Sequence, residues 1–330
     1  MSDNIGTLQI TYAVNNFYDR VLLERAVAAF IHTRFAQVRD IPEGNTNVIK
    51  FRRYSNLTAQ TTPLNEGITP AGSSLSASDI TATVKQYGDY VTLTDLVQMT
   101  TLDPILTETA EILGDEAGDT LDQLTRDVLA AGTTIYYAGS QTSIGAITTS
   151  NKVAYTDFLS IIRTLKNNKG KRIMQMVDAS TGYNTMPIMP AFIAFVHPDT
   201  VYDLKNLLQT TSNAAVFMPI SKYPSSMAIL PDEVGAIDEI RFIESTNCKI
   251  FSGQGSGGCN VYGTVVIAQN AYGISRISGQ ALENIVKPLG SAGSSDPLDQ
   301  RATSGWKATF AAVRLNETWI VRYLHATSFS

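Results

Sequence analysis

Apolar residues recur at helical spacing in four parts of the chain. Residues 17–38 carry them three and four positions apart, which predicts a helix. The clearest pattern lies in residues 103–131, where it predicts a helix about 42 Å long. Shorter patterns predict a third helix at about 156–168 and a fourth that begins at Pro198.

Alternating apolar and polar residues predict strands. Residues 47–57 alternate in this way, and a second alternating run covers residues 80–94. The segment between them is rich in Thr, Pro, Gly and Ser, so the sequence predicts two strands joined by a long loop. Such loops are usually functional or held by a partner. Further strands are predicted at 191–197, 241–246, 260–270, 272–278, 306–315 and 317–326, the last two paired through a turn near Asn316.

The composition narrows the class of protein. A chain of 330 residues with 44% apolar residues can bury a core equivalent to about two domains. Only 17% of the residues are charged, against roughly 25% in an ordinary soluble domain, and the net charge is -5. This balance argues against a basic surface that grips nucleic acid. A surface rich in Thr and Ser with few charges suits contact with other protein.

The charges are distributed unevenly. Residues 103–131 contain eight acidic residues and one basic residue, so one predicted helix accounts for the acidity of the whole chain. Like charges at helical spacing repel, and the face that carries them is either solvated or turned toward a basic partner. The predicted strand at 47–57 is basic, because Lys50 and Arg52 share one of its faces and Arg53 follows.

Candidate catalytic and binding groups are few. Gly253, Gly255 and Gly258 form a G-x-G-x-x-G pattern, but a strand pattern follows where a dinucleotide site needs a helix. A hairpin tip is therefore the favoured interpretation. His197 stands before Pro198 without a nucleophile motif, so we interpret it as a structural turn histidine. The sequence predicts no enzyme activity, catalytic residue, cofactor or metal site.

Two cysteines and three histidines supply neither a disulfide framework nor a zinc site. We interpret Cys248 and Cys259 as small packing residues and expect a reducing compartment. The first residues lack the basic and apolar regions of a signal peptide, and the longest apolar run covers only residues 191–196. We expect a protein that is neither exported by that route nor membrane-spanning.

Six stretches distributed over the chain carry a resemblance to a known family. They are FYDRVLLERA, KFRRYSNL, TPLNEGITP, QYGDYVTLTD, LTRDVLAAGT and DPLDQRATSGWKATFAAVRLNETWIVR. In these stretches and in the order of its elements, the chain resembles the major capsid proteins of tailed bacteriophages, the Caudoviricetes. It is most similar to the podovirus subfamily with a large virion RNA polymerase. The resemblance implies an α+β protein with the Hong Kong 97-type capsid fold.

The resemblance also implies a division of the chain. Residues 1–45 would be an N-terminal arm, and 46–95 an extended β-hairpin loop that overlaps the adjacent subunit. Residues 96–184 would hold the long spine helix and part of the peripheral domain. The axial domain would cover 185–275, and the closing strands of the peripheral domain 276–330. Because few residues precede the first predicted helix, we expect a separate scaffold protein or none.

The function that the resemblance implies is assembly. Copies of the chain would form pentamers and hexamers of an icosahedral shell around double-stranded DNA, with a portal protein and separate scaffold or decoration proteins as further partners. The DNA would be contacted non-specifically, no membrane would be involved, and the protein would be found in the virion and, during assembly, in the host cytoplasm. Two alternatives are an encapsulin-type nanocompartment shell and, more remotely, a cytosolic nucleotide-dependent α/β enzyme.

The two charged segments suggest a contact between neighbouring subunits. In this hypothesis the basic strand of one copy faces the acidic helix of the next, and the lattice repeats each weak pair many times. The alternative is that both segments are solvated or paired within one chain. The residues in the hypothesis are Lys50, Arg52, Arg53, Asp115, Glu116, Asp119 and Asp122.

Overall fold

The fold was analysed in a computed structural model of the chain. It describes residues 22, 26, 30–42, 44, 46–54, 57–63, 66–67, 72–100, 105–177, 185–207, 216–223, 229–277, 282–291 and 296–330. The helices are α1 (Asp95–Thr100), α2 (Ile105–Ala130), α3 (Tyr155–Asn167) and α4 (Pro198–Lys205). The strands are β1 (Gln37–Ile41), β2 (Val48–Tyr54), β3 (Ala77–Thr83), β4 (Lys85–Thr94), β5 (Ile135–Tyr137), β6 (Ile173–Val177), β7 (Thr185–Val196), β8 (Met218–Pro219), β9 (Glu233–Ile237), β10 (Ile240–Glu244), β11 (Ile250–Phe251), β12 (Val261–Ile267), β13 (Tyr272–Ile277), β14 (Leu282–Lys287), β15 (Arg301–Arg314) and β16 (Ile320–His325).

The long helix that the apolar spacing predicts is confirmed as α2. Its 26 residues span about 39 Å, and Leu113, Ala117 and Leu121 turn inward. They pack against Trp306 and Phe310 of β15, which gives the helix a buried stripe along its length. The helices predicted near 156–168 and from Pro198 are also confirmed, as α3 and α4.

The helix predicted for residues 17–38 is wrong at its C-terminal end. Leu22 and Ala26 are helical and buried, and the residues before Leu22 lie outside the described chain. The backbone N–H groups of Ile31 and His32 both donate to Asp122 Oδ1, so they are withdrawn from helical hydrogen bonding. Residues 37–41 then form β1, parallel to β13.

The larger sheet has nine strands and contains most of the core. Its order is β5-β16-β12-β7-β10-β9-β8, with β11 on β12 and β6 on β7. Helices α3 and α4 cover one face, where Phe158 packs with Phe242. The end of α2 and the segment around Phe35 cover the other face. The sheet is therefore buried on both sides, as its nearly continuous apolar strands require.

The second sheet has five strands, and its strand β15 packs against the long helix α2. Its order is β1-β13-β15-β14, and β4 also pairs with β15 over ten residues, from Arg301↔Thr94 to Phe310↔Lys85. The predicted pairing of the last two strands is wrong: β15 belongs to this sheet and β16 to the nine-stranded sheet. The chain leaves β15 at Leu315 and Asn316, whose N–H groups both donate to Ala271 O. The predicted closing region 276–330 is thus shared between two sheets.

The predicted loop region contains a separate two-stranded sheet. Strands β2 and β3 pair antiparallel from Val48↔Thr83 to Tyr54↔Ala77, and loop 55–76 joins them, as the sequence predicts. The returning run at 80–94 is two strands rather than one. The division falls at Val84, which is buried and donates its N–H to Asn47 O, after which the chain changes partner from β2 to β15.

Candidate inter-subunit surface

The β2–β3 hairpin is anchored at one face and open at the other. Phe51 is buried, at 3% exposure, and packs with Leu315 and Ala82. Every described residue of loop 55–76 is exposed, so the body of its own chain does not cover the described part of this loop. Leu57 and Leu75 in the loop are more than half exposed. A hairpin with a fixed base and an uncovered tip offers its surface to another chain.

The three basic residues of β2 have different surroundings. Arg52 lies opposite Asp79 and makes two hydrogen bonds to it, Nε to Oδ1 at 2.9 Å and Nη2 to Oδ2 at 3.2 Å. This hydrogen bonding lowers the pKa of the Asp79 carboxyl. The guanidinium carbon of Arg53 lies 5.7 Å from the centre of the Trp319 ring. Lys50 is exposed. The interpretation that these residues are paired within one chain therefore holds for Arg52.

The acidic residues of α2 do not form one solvated face. Asp115 and Asp119 are exposed, and Asp119 Oδ1 accepts a hydrogen bond of 3.0 Å from Asn247 Nδ2. Glu116 is half-buried and accepts a hydrogen bond from Trp306 Nε1. Asp122 is completely buried against His32. Its place in the predicted contact is wrong, because a side chain in the interior cannot reach a neighbouring subunit.

Sequence reasoning missed an exposed apolar surface beyond the hairpin. Tyr90 of β4 and Leu96 of α1 are 69% and 67% exposed, whereas Tyr87 packs toward α2. The alternation in residues 85–94 shows two faces, but only the packing of Tyr87 shows which of them is inward. This surface follows the hairpin in the chain and is part of the same predicted extended region.

A cavity of about 150 Å³ lies where the hairpin meets the body of the protein. Its lining residues include Arg39 of β1 and Arg53 of β2, whose guanidinium groups lie over the rings of Phe51 and Trp319. Exposed side chains are among its lining residues, so it can be reached from solvent. The sequence gives no sign of this cavity, because its residues come from five separate parts of the chain.

The glycine pattern forms a hairpin tip, as predicted. Strands β11 and β12 pair on either side of it, and Gly253, Gly257 and Gly258 adopt positive φ angles. A Cβ on Gly255 would lie 2.3 Å from Cys259 Sγ, so this position needs glycine for close packing. Strand β12 follows, where a phosphate site would need a helix N-terminus.

The structure confirms His197 as a structural turn residue and both cysteines as packing residues. His197 is the N-cap of α4 and its Nδ1 accepts a hydrogen bond of 3.2 Å from Asp199 N. Cys248 and Cys259 are buried free thiols, and burial raises the pKa of Cys248. In the part of the chain that the structure describes, no three metal-ligating side chains come together. None of its described helices is both long and apolar enough to cross a membrane.

Comparisons with known proteins agree with this architecture. The model of a family described as "Phage capsid protein" matches residues 77–322, about three quarters of the chain. The major capsid protein of Pseudomonas phage KPP21 is 25% identical over 138 residues, which are 42% of this chain and 34% of that protein. The match thus spans about a third of the length of that relative.

Two solved structures show the likeness of the fold. The capsid of Ralstonia phage GP4 superposes with a TM-score of 0.67 at 12% identity, over 91% of this chain and 89% of that chain. The capsid of cyanophage Pam1 superposes with a TM-score of 0.63 at 12% identity, over 93% of each chain. The predicted α+β architecture of the Hong Kong 97 type is therefore confirmed.

Proposed function

Since this chain belongs to the phage capsid protein family, we propose that it is the major capsid protein of a tailed phage. Its copies self-assemble into the icosahedral shell that encloses the double-stranded DNA genome. The observation that carries this proposal is the β2–β3 hairpin, whose loop 55–76 is exposed in every described residue. A long loop without a core of its own gains stability by lying on another chain.

The proposal assigns roles to the regions of the chain. Residues 1–45 act as the arm and 46–95 as the extended loop that overlaps the neighbouring subunit. Residues 96–184 contain the spine helix, which is α2, and part of the peripheral domain. Residues 185–275 form the axial domain, together with β16, which pairs with β12. Residues 276–314 complete the peripheral domain around β15.

The partners follow from shell assembly. We propose pentamers and hexamers of this chain, a portal protein at one vertex, and separate scaffold or decoration proteins. Packaged DNA is contacted non-specifically, which suits a chain with a net charge of -5. The protein assembles in the host cytoplasm and remains in the virion. The distributed sequence stretches support placement in the podovirus subfamily with a large virion RNA polymerase.

We also propose the charge contact between neighbouring subunits, with fewer residues than the sequence suggested. Lys50 and Arg52 of one copy face Asp115, Glu116 or Asp119 on α2 of the next, whereas Arg53 lies over Trp319 of its own chain and is not part of the contact. Asp122 is not part of it. Each exposed pair contributes little by itself, and repetition over the lattice gives the contact its effect. A shell in which these two segments lie more than about 8 Å apart, one Debye length, would exclude the contact.

The experiment that tests the function is assembly of the purified chain. We expect size-exclusion chromatography and cryo-electron microscopy to show closed shells, under at least one condition of salt or scaffold protein. A chain that stays monomeric throughout, while another protein forms the lattice of the source particle, would contradict the proposal. Genomic DNA and a portal in the particles support a phage capsid, whereas an enzyme cargo would support the encapsulin-type alternative.

A further inference from the structure

The cavity beneath the hairpin is a recessed, positively charged site. Its volume of about 150 Å³ is several times the roughly 30 Å³ that one water occupies in the liquid, so it can admit the end of a side chain. Its polar walls come from arginines and amides rather than from carboxylates. The lining residues are Gln37, Arg39, Phe51, Arg52, Arg53, Tyr54, Ile80, Asn270, Leu315, Asn316 and Trp319.

Two of the three lining arginines are held by aromatic rings. The guanidinium carbon of Arg39 lies 5.5 Å from the centre of the Phe51 ring, and that of Arg53 lies 5.7 Å from the centre of the Trp319 ring. Within the described chain, neither guanidinium forms an ion pair with a carboxylate, whereas Arg52 is occupied by Asp79. Stacking fixes a guanidinium while leaving its N–H groups available for an anion.

Asn316 provides an independent indication of a missing acceptor. Its Oδ1 accepts hydrogen bonds from Thr318 N at 3.2 Å and Thr318 Oγ1 at 2.9 Å, which fixes the orientation of the amide. Its Nδ2 is buried and has no hydrogen-bond partner within the described residues. A buried donor without an acceptor is unfavourable, so an oxygen ligand that satisfies it would be bound more tightly.

We propose that this cavity receives the carboxylate of Glu66 from a second copy of the chain. Glu66 is the only charged residue in loop 55–76, and it is exposed at a turn with Gly67, whose φ is 76°. The described residues of this loop are exposed on their own chain, so their surface is available to a neighbouring copy. A carboxylate is complementary in charge to two guanidinium groups that have no carboxylate partner within the described chain. This inference rests on the proposed function, because it names the partner of the extended loop.

The contact is heterologous, and it closes around a ring when the rotation that relates neighbouring copies is that of a pentamer or hexamer. Each copy donates Glu66 from its loop and receives the Glu66 of another copy in its cavity, so a symmetric capsomer satisfies every site without leaving one empty. The phosphates of DNA are the competing anions. An extended row of cations suits them better than a recessed site between two arginines.

A charge exchange tests the contact in the full-length chain. We expect Glu66→Arg and Arg53→Glu each to lower the yield of shells at least about tenfold, because like charges would face one another, and the double variant to recover most of the yield. Arg163→Glu, an exposed arginine of α3 outside the cavity, is the matched control and should assemble like the unaltered chain. Circular dichroism and thermal unfolding check that each variant is folded.

Carbodiimide cross-linking locates the contact directly. In Arg53→Lys shells, the reagent should join the Glu66 carboxylate to the new amine and give a ladder of covalent oligomers. Any of three results would overturn the proposal. The cross-link could stay within the monomer band, or it could be absent from assembled Arg53→Lys shells. The third is a double variant that does not recover the yield of shells. Normal assembly of Glu66→Arg with loss in Arg53→Glu would assign the cavity to another anion, such as DNA phosphate. If the unaltered chain forms no shells at all, the proposed function itself fails.

Discussion

His32 and Asp122 form a buried hydrogen bond that joins the segment before β1 to the long helix α2. His32 Nδ1 lies 2.7 Å from Asp122 Oδ2, and both side chains are almost without solvent exposure. Asp122 Oδ1 also accepts the backbone N–H groups of Ile31 at 2.9 Å and His32 at 2.6 Å. One carboxylate thus binds the backbone at Ile31 and His32 and holds the segment before β1 against α2.

Removing this carboxylate should destabilise the folded subunit. Asp122→Ala leaves two backbone donors and the imidazole without an acceptor in the interior, and we expect the free energy of unfolding to fall by about 3 kcal/mol. Gln123→Ala, one residue further along at an exposed position of α2, should change it by less than about 0.5 kcal/mol. Urea unfolding followed by circular dichroism measures both, and equal effects would contradict the assigned role.

The burial of Asp122 shows what periodicity could and could not predict. Buried residues of α2 recur at Gly114, Gly118, Asp122, Thr125 and Leu129, four, four, three and four positions apart. This spacing places Asp122 on an inward row of small residues, and it could have been recognised in the sequence. The acidic composition of the helix obscured it, because seven other acids suggested a single solvated face.

The strand errors have a different cause. Periodicity identified β15 and β16, although β15 begins at Arg301, five residues before its predicted start. Their separation into two sheets depends on the pairing of β15 with β4, β13 and β14. Pairing of this kind is a property of the whole fold. In the same way, the anion cavity needs β1, β2 and the turn at Asn316 to come together, so no local pattern predicts it.

Phe51 should control the attachment of the hairpin. Its ring is 3% exposed and packs so closely that a Cβ on Gly273 would lie 2.9 Å from it. We expect Phe51→Ala to lower the free energy of unfolding by about 3 kcal/mol, since it leaves a cavity that the rigid strands cannot fill. Leu75→Ala in the exposed loop should leave monomer stability within about 0.5 kcal/mol and reduce shell formation instead. Chemical denaturation and electron microscopy separate the two effects.

His325 should make the folded subunit sensitive to mild acid. Its Nε2 is bonded to Thr264 Oγ1 at 2.9 Å and its Nδ1 to Ala326 O at 3.0 Å, and complete burial lowers its pKa from 6.5 to about 4. The unfolded chain therefore binds the proton more readily, so stability is complete above about pH 6.5 and declines as the pH falls toward 4. The loss should reach about 3 kcal/mol.

The comparison variant for this prediction is His325→Gln, which removes the titrating group. Unfolding curves at several pH values between 4 and 7 should show a steeper loss of stability in the unaltered chain than in the variant. The difference between the two curves isolates His325 from the carboxylates that also titrate in acid. Parallel curves would show that the imidazole does not control this range.

Glu233 and Arg241 should behave as a coupled pair in the proposed axial domain. Arg241 Nε and Nη2 donate to the two oxygens of Glu233 at 2.6 and 2.5 Å, and Glu233 also accepts from Tyr223 Oη at 2.8 Å and Leu230 N at 2.9 Å. Glu233→Ala leaves a guanidinium charge buried, which should lower the free energy of unfolding by about 3 to 5 kcal/mol.

Glu233→Leu combined with Arg241→Met removes both charges, so the double variant should be less destabilised than the sum of the two single changes. A double-mutant cycle by urea unfolding measures this coupling. Additive effects would mean that the two side chains act independently, and that the segment before β9 is held by its apolar contacts instead.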